Sequence, residues 1–157
     1  MPRRIARALT TGAAALGLLV GAGGVAAAGA PAATAATPLS CSGVVQINAF
    51  AFTPAQVLAG QSSTASLTAR NCTAKSQTVN EMWYGRFSNA STGIPAGCPV
   101  LDPFIRSVSI AAHAKTTTAT TYTVNSGCTA TQLAVTVTIS AQDGTVLAQR
   151  TANLRIT

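Results

Sequence analysis

The sequence is poor in the side chains that carry most enzyme chemistry. Three carboxylates, Glu81, Asp102 and Asp143, and one histidine, His113, are spread over 157 residues. A serine or cysteine nucleophile needs a base that a third group orients. His113 is the sole candidate base, and it stands in an expected loop, Ala112-His113-Ala114. Glycoside hydrolysis would need two of the three carboxylates, and Asp143 is already explained by the turn-forming pair Asp143-Gly144. Calcium sites gather several acidic oxygens at close spacing, whereas these three lie far apart in sequence. No glycine-rich loop of the phosphate-cradling kind is present. The expectation is a protein that is not an enzyme, with no catalytic residue, no metal and no cofactor.

Charge is also scarce, at 8% of residues, and its balance is misleading. Of the ten basic residues, Arg3, Arg4 and Arg7 sit at the start of the chain; removing them leaves 7 (10 − 3) against 3 acidic residues, so +7 falls to +4. The other seven, Arg70, Lys75, Arg86, Arg106, Lys115, Arg150 and Arg155, are scattered singly. No phosphate-tracking stripe is visible, and no nucleic-acid partner is expected.

Long apolar runs are missing except at the beginning. After the basic start, residues 8–30 are almost wholly Ala, Gly, Leu and Val, which is the grammar of a secretory signal. The strongly hydrophobic part is confined to residues 16–20, too short for a retained span. Cleavage after Ala33-Thr34-Ala35, with Ala26-Ala27-Ala28 as the alternative, gives a signal peptide over 1–35, a short linker over 36–40 and a domain over 41–157. The mature protein is then expected to be secreted (extracellular) or cell-envelope associated, with no membrane span. Arg3-Arg4 raises twin-arginine export and Cys41 raises lipidation, but Ile5-Ala6-Arg7 and Pro38 fit neither signal well. The Ala- and Gly-rich leader suggests a high-GC bacterium, so the glycosylation triplets at Asn71 and Asn89 read as chance matches.

What the rest of the chain has is alternation. Leu133, Val135, Val137 and Ile139 share one face of a strand, and Ala134, Thr136 and Thr138 share the other. Asp143-Gly144 then turns the chain into a last strand with Ala152, Leu154 and Ile156 in phase, forming a hairpin. Ala65, Leu67 and Ala69 alternate with Thr64, Ser66, Thr68 and Arg70 after a turn at Ala59-Gly60. Residues 43–52 change phase between Val45/Ile47 and Phe50/Phe52, which predicts a bulge. Further strands are expected at 77–87, 106–110 and 115–124. About seven short antiparallel strands make an all-β, immunoglobulin-like sandwich of ordinary size.

The stretch Ile47-Asn-Ala-Phe-Ala-Phe-Thr-Pro-Ala-Gln-Val-Leu-Ala-Gly-Gln-Ser-Ser-Thr-Ala-Ser-Leu-Thr-Ala-Arg-Asn71 resembles the opening of the bacterial cell-adhesion-related (CARDB-like) domains, which are immunoglobulin-like or fibronectin type III-like. There a strand ends in a proline-containing segment, a glycine-polar turn follows, and an alternating strand closes on Asn. Residues 108–124, as strand, turn and strand, and the final hairpin continue the resemblance. Ala112-His113-Ala114 departs from it, because such domains usually carry a glycine in that turn. The resemblance implies an adhesion or binding module.

Four cysteines in an exported chain imply two disulfides. Cys41 opens the first strand and Cys72 follows the next, so antiparallel pairing brings them to one end. Cys98 lies beyond the Trp83 strand, and Cys128 precedes the Leu133 strand expected to neighbour it. The expected bridges are Cys41 to Cys72 and Cys98 to Cys128. No two cysteines have the close spacing of a zinc or redox pair.

Two surfaces are candidates for contact. Trp83 is the natural plug of a central strand, with Val79 and Phe87 in phase, which points Met82, Tyr84 and Arg86 outward, or inward in the opposite phase. The segment 88–105, rich in Gly and Pro and tethered by Cys98, is a loop of recognition size, and Ile94 or Leu101 could insert into a partner. The leading expectation is a non-enzymatic binding or adhesion module whose partner is a protein or a cell-wall or surface component. The alternative is a secreted protease inhibitor or other interaction protein acting through residues 88–105.

Overall fold

The computed structural model describes residues 40–89 and 95–157. The expected signal peptide, residues 36–39 of the linker, and Ile94 lie outside the described residues. The described chain is all-β: β1 (Val45–Thr53), β2 (Gln56–Val57), β3 (Ser62–Asn71), β4 (Gln77–Ser88), β5 (Phe104–Ile110), β6 (Lys115–Thr123), β7 (Gln132–Ser140) and β8 (Val146–Ile156). They form a three-stranded sheet, β1-β3-β6, and a five-stranded sheet, β2-β8-β7-β4-β5. All pairings are antiparallel except the short β2 against β8.

Period-2 patterning decides which face each strand buries. On β7, Leu133, Val135, Val137 and Ile139 are fully buried; on β3, Ser63, Ala65, Leu67, Ala69 and Asn71 turn inward. Trp83 of β4 meets Phe50 of β1 edge-on across the sheets, with ring centroids 5.5 Å apart. Phe52 and Tyr122 make a second such contact at 6.0 Å. The expected bulge in β1 falls between Ile47 and Ala49, which lets Val45 and Phe50 share the interior. The β7–β8 hairpin turns at Gly144, with φ +88°.

Both disulfides are the expected ones. Cys41–Cys72 ties the start of β1 to the end of β3, and Cys98–Cys128 ties the loop after β4 to the loop before β7. The structure differs from the sequence expectation in two places. β5 begins at Phe104 rather than 106, and β2 is an eighth strand, too short for alternation to reveal.

Asn71, fully buried at the end of β3, organises two turns. Its Nδ2 donates to the carbonyls of Lys75, Ile110 and Ala111, and its Oδ1 accepts from the Thr73 N–H and hydroxyl. The adjoining turn places exposed His113 at φ 56°, the left-handed conformation that glycine usually supplies. The outward face of the three-stranded sheet is covered by small residues whose hydroxyls pair sideways: Ser62 with Thr123 at 2.8 Å, and Thr64 with Thr121 and Thr68 with Thr117 at 2.9 Å.

Candidate functional site

Strand β4 sorts its side chains to two sides. Val79, Glu81 and Trp83 point into the sandwich, each 1% exposed, while Met82 and Tyr84 point out at 40% and 45%, with Arg86 exposed beside them. Met82 is paired directly across the strands with Ile105, which is 66% exposed. The expected patch of Met82, Tyr84 and Arg86 is therefore assembled on one face, and Ile105 extends it. The sequence pattern starts β5 at 106, which leaves Ile105 in the loop, whereas β5 begins at Phe104.

The segment leading into β5 is held at both ends. Ala96 exchanges two hydrogen bonds with Thr129, its carbonyl accepting from the Thr129 N–H and its N–H donating to the Thr129 hydroxyl, both at 2.9 Å. Gly97 follows at φ +69°, so close to the Gly127 carbonyl that a Cβ would collide with it. Cys98 is then bonded to Cys128. Three residues on, Leu101 turns inward and packs against the core over Gly85, where an added Cβ would come within 2.7 Å of its Cδ1. Between these anchors Val100 stands 87% exposed. Leu101 is thus half-buried, and the exposed aliphatic residue of the loop is its neighbour, which the composition of the segment did not single out.

Two hollows flank this loop, with Leu101 and Val100 lining both. One, of about 300 Å³, lies between the loop, β4 and the end of β6, with Trp83, Phe104, Tyr122, Asp102 and Asn125 on its walls. Burial pushes the Tyr122 phenol up to about 12, with the Arg106 charge pulling the other way, so at neutral pH it is protonated. The other hollow, of about 360 Å³, is bounded by Tyr84, Arg86, Phe87 and Cys98.

Behind the site the two sheets are joined by a buried carboxylate. Glu81 Oε2 accepts from Arg106 Nε of β5 at 2.8 Å, from the Thr118 hydroxyl of β6 at 2.8 Å and from Trp83 Nε1 at 3.1 Å. The Arg106 guanidinium lies 4.5 Å from the Trp83 ring centroid and donates to the Ala119 carbonyl. This cluster clips β5 to β6 where the sheets meet through side chains rather than backbone pairing. Sequence reasoning placed Trp83 correctly but left Glu81 unassigned. The available signal was its phase, two residues before Trp83 on the same face.

His113 lies on an exposed turn. Among the described residues, no three of His, Cys, Asp or Glu come together as a metal site, and no helix is long and apolar enough to cross a membrane.

The two packed sheets and their bridges define an immunoglobulin-like β-sandwich, with Met82, Tyr84 and Ile105 exposed on the outward face of β4 and β5. No family model matches the chain, and no curated protein does. Solved structures similar to it include the Pseudomonas fluorescens alkylpurine DNA glycosylase AlkC bound to DNA with an abasic site analog. That match has 14% identity and a TM-score of 0.52, over 74% of this chain and 31% of the glycosylase. The chain therefore spans about a third of that protein's length. A Niemann-Pick type C2 protein from the Japanese carpenter ant is similar at 10% identity and TM-score 0.45, over 75% and 97% of the two chains. A PapD-like domain of human CEP192 is similar at 12% identity and TM-score 0.41, over 80% and 95%. The likeness is one of fold.

Proposed function

We propose that the domain is a secreted or cell-envelope-associated binding module without catalytic activity, in keeping with its resemblance to cell-adhesion-related domains. The carrying observation is where the exposed apolar side chains lie. Of the eight large exposed apolar side chains among the described residues, Met82, Tyr84, Val100, Phe104 and Ile105 belong to β4, β5 or the loop before β5, while Val44, Leu58 and Val146 lie elsewhere. Met82, Tyr84 and Ile105 share the outward face, whereas Phe104 stacks on inward-pointing Trp83. Single exposed hydrophobics are ordinary, but a collected group rimmed by polar residues is the usual mark of a contact surface. Tyr84 and Arg86 are residue types that contribute strongly to protein interfaces. The disulfides are compatible with an oxidising, extracellular setting.

The test is binding of the purified chain to cell-envelope fractions and culture-fluid proteins of the producing organism, alongside a Met82→Ser, Tyr84→Ala, Ile105→Ser variant. The variant should lose binding while keeping its thermal midpoint. Undiminished binding would place the contact elsewhere. Turnover of a substrate that disappeared on His113→Ala would show the non-enzyme reading to be wrong.

A further inference from the structure

The segment 98–103 has the construction of a rigid substrate mimic. Proline fixes φ near −65° and holds the residue before it extended, so Pro99 and Pro103 together restrain Cys98 and Asp102 as well. Residues 98–103 run into β5 without a turn. Among the described residues, the backbone groups from Pro99 to Asp102 make no backbone hydrogen bond, so they are open to pairing with another chain. On one side the segment is fixed by the Ala96–Thr129 exchange and the Cys98–Cys128 bridge. On the other it is fixed by Leu101 over Gly85 and by the pairing of Phe104 with Trp83. The one aliphatic side chain raised between the two anchors is Val100.

From this arrangement, and resting on the reading of the domain as a binding module, we infer that residues 98–103 enter the active-site cleft of a serine endopeptidase as a strand. Val100 fills a shallow primary pocket of the kind that takes small aliphatic side chains. Most flexible loops are cut because they adapt to the enzyme and then separate. Here attack on the Val100 carbonyl by the enzyme's hydroxyl breaks the Val100–Leu101 bond, and the hydroxyl proton passes through the enzyme's base to the Leu101 nitrogen. Neither new end can depart, because the acyl side is held through Cys98 and the amine side through Leu101 and β5. The Leu101 amine then attacks the acyl carbon, returns its proton, and restores the peptide and the free enzyme hydroxyl. Binding without net cleavage is inhibition, and the fixed loop shape lowers the ordering cost of forming the complex.

The experiment titrates the purified chain against elastase-type, subtilisin-type, chymotrypsin-type and trypsin-type endopeptidases with chromogenic peptides. Stoichiometric inhibition of an elastase-type or subtilisin-type enzyme is expected. Val100→Gly should weaken it roughly 100-fold, and Val100→Lys should transfer it to the trypsin-type enzyme. Both substitutions fall on an exposed side chain, so thermal midpoints should stay at the wild-type value. Inhibition of none of the four enzymes, inhibition indifferent to Val100, or rapid net cleavage at Val100–Leu101 would each overturn the inference. The same Val100 variants carried through the envelope-binding assay separate the two readings. Envelope binding that depends on Tyr84 without peptidase inhibition removes the inference alone, and loss of both removes the binding-module reading with it.

Discussion

Replacing Glu81 by alanine takes one carboxylate oxygen away from three donors at once: Arg106 Nε, the Thr118 hydroxyl and Trp83 Nε1. Breaking a buried ion pair from one side costs about 3–5 kcal/mol, because the remaining charge is left without compensation. Arg106 keeps 29% of its side chain exposed and can turn partly toward water, which favours the lower end of that range. The indole N–H of Trp83 has less freedom, since the residue is 1% exposed, and an unsatisfied buried donor costs about 1–3 kcal/mol. The two costs overlap, so about 4 kcal/mol is expected, a large share of the 5–15 kcal/mol typical of a domain. With a urea slope of about 1.5 kcal/mol/M, the midpoint should fall by between about 2 and 3 M. The stronger test is the double variant Glu81→Met, Arg106→Leu, which removes charge and partner together and should recover the part of the loss due to the stranded Arg106 charge, while the Trp83 N–H and the Thr118 hydroxyl stay without their acceptor. Urea unfolding followed by Trp83 fluorescence, with disulfides intact, measures Glu81→Ala, the double variant and its component singles Glu81→Met and Arg106→Leu. A single-variant loss below about 1 kcal/mol, or a double variant as unstable as the sum of the singles, would refute the description of this cluster as a coupled buried pair.

Gly97→Ala should destabilise by more than 2 kcal/mol, since it adds a left-handed penalty of about 1–2 kcal/mol to a collision with the Gly127 carbonyl, whereas Gly144→Ala meets no neighbour and should cost only the first; thermal unfolding compares them. Asn71→Ala leaves the Thr73 N–H without its acceptor and takes one donor from the carbonyls of Ile110 and Ala111, and faster amide exchange in the 72–76 turn and at His113 is expected in hydrogen-exchange mass spectrometry. The raised phenol of Tyr122 contributes stability that is fully present below the unfolded pKa of about 10 and is lost as pH rises through about 12. Tyr122→Phe should flatten that alkaline decline. The Thr145 N–H holds the Asp143 carboxyl below its usual range, so Asp143→Asn should weaken the acid dependence of stability, whose contribution is present above the unfolded pKa and lost as pH falls through the folded one.

The sheets were legible because alternation is a local signal. Leu133 to Ile139 and Ala65 to Ala69 declare their buried faces unaided, and the phase change before Phe50 announces the bulge. The disulfide pairing followed from strand order, since antiparallel neighbours bring Cys41 to Cys72 and Cys98 to Cys128. Strand β2 escaped notice because two residues carry no period. Phe104 and Ile105 were hidden by Pro103 and the Gly/Pro texture before it. The patch of Met82, Tyr84 and Arg86 could be read by counting outward from Trp83. The inward turn of Leu101 could not, because it depends on Gly85 in another strand offering no side chain. The role of Glu81 is less local still. Its partners sit on β5 and on β6, in different sheets, and a buried carboxylate contradicts the pattern that reveals its neighbours.

The sideways-paired hydroxyls of β3 and β6 give the molecule a front and a back. Groups such as Thr64 and Thr121 already answer each other and have less left to offer an approaching surface. A label or tether fixed to the β3–β6 side should leave the β4–β5 edge facing outward and free to make contact.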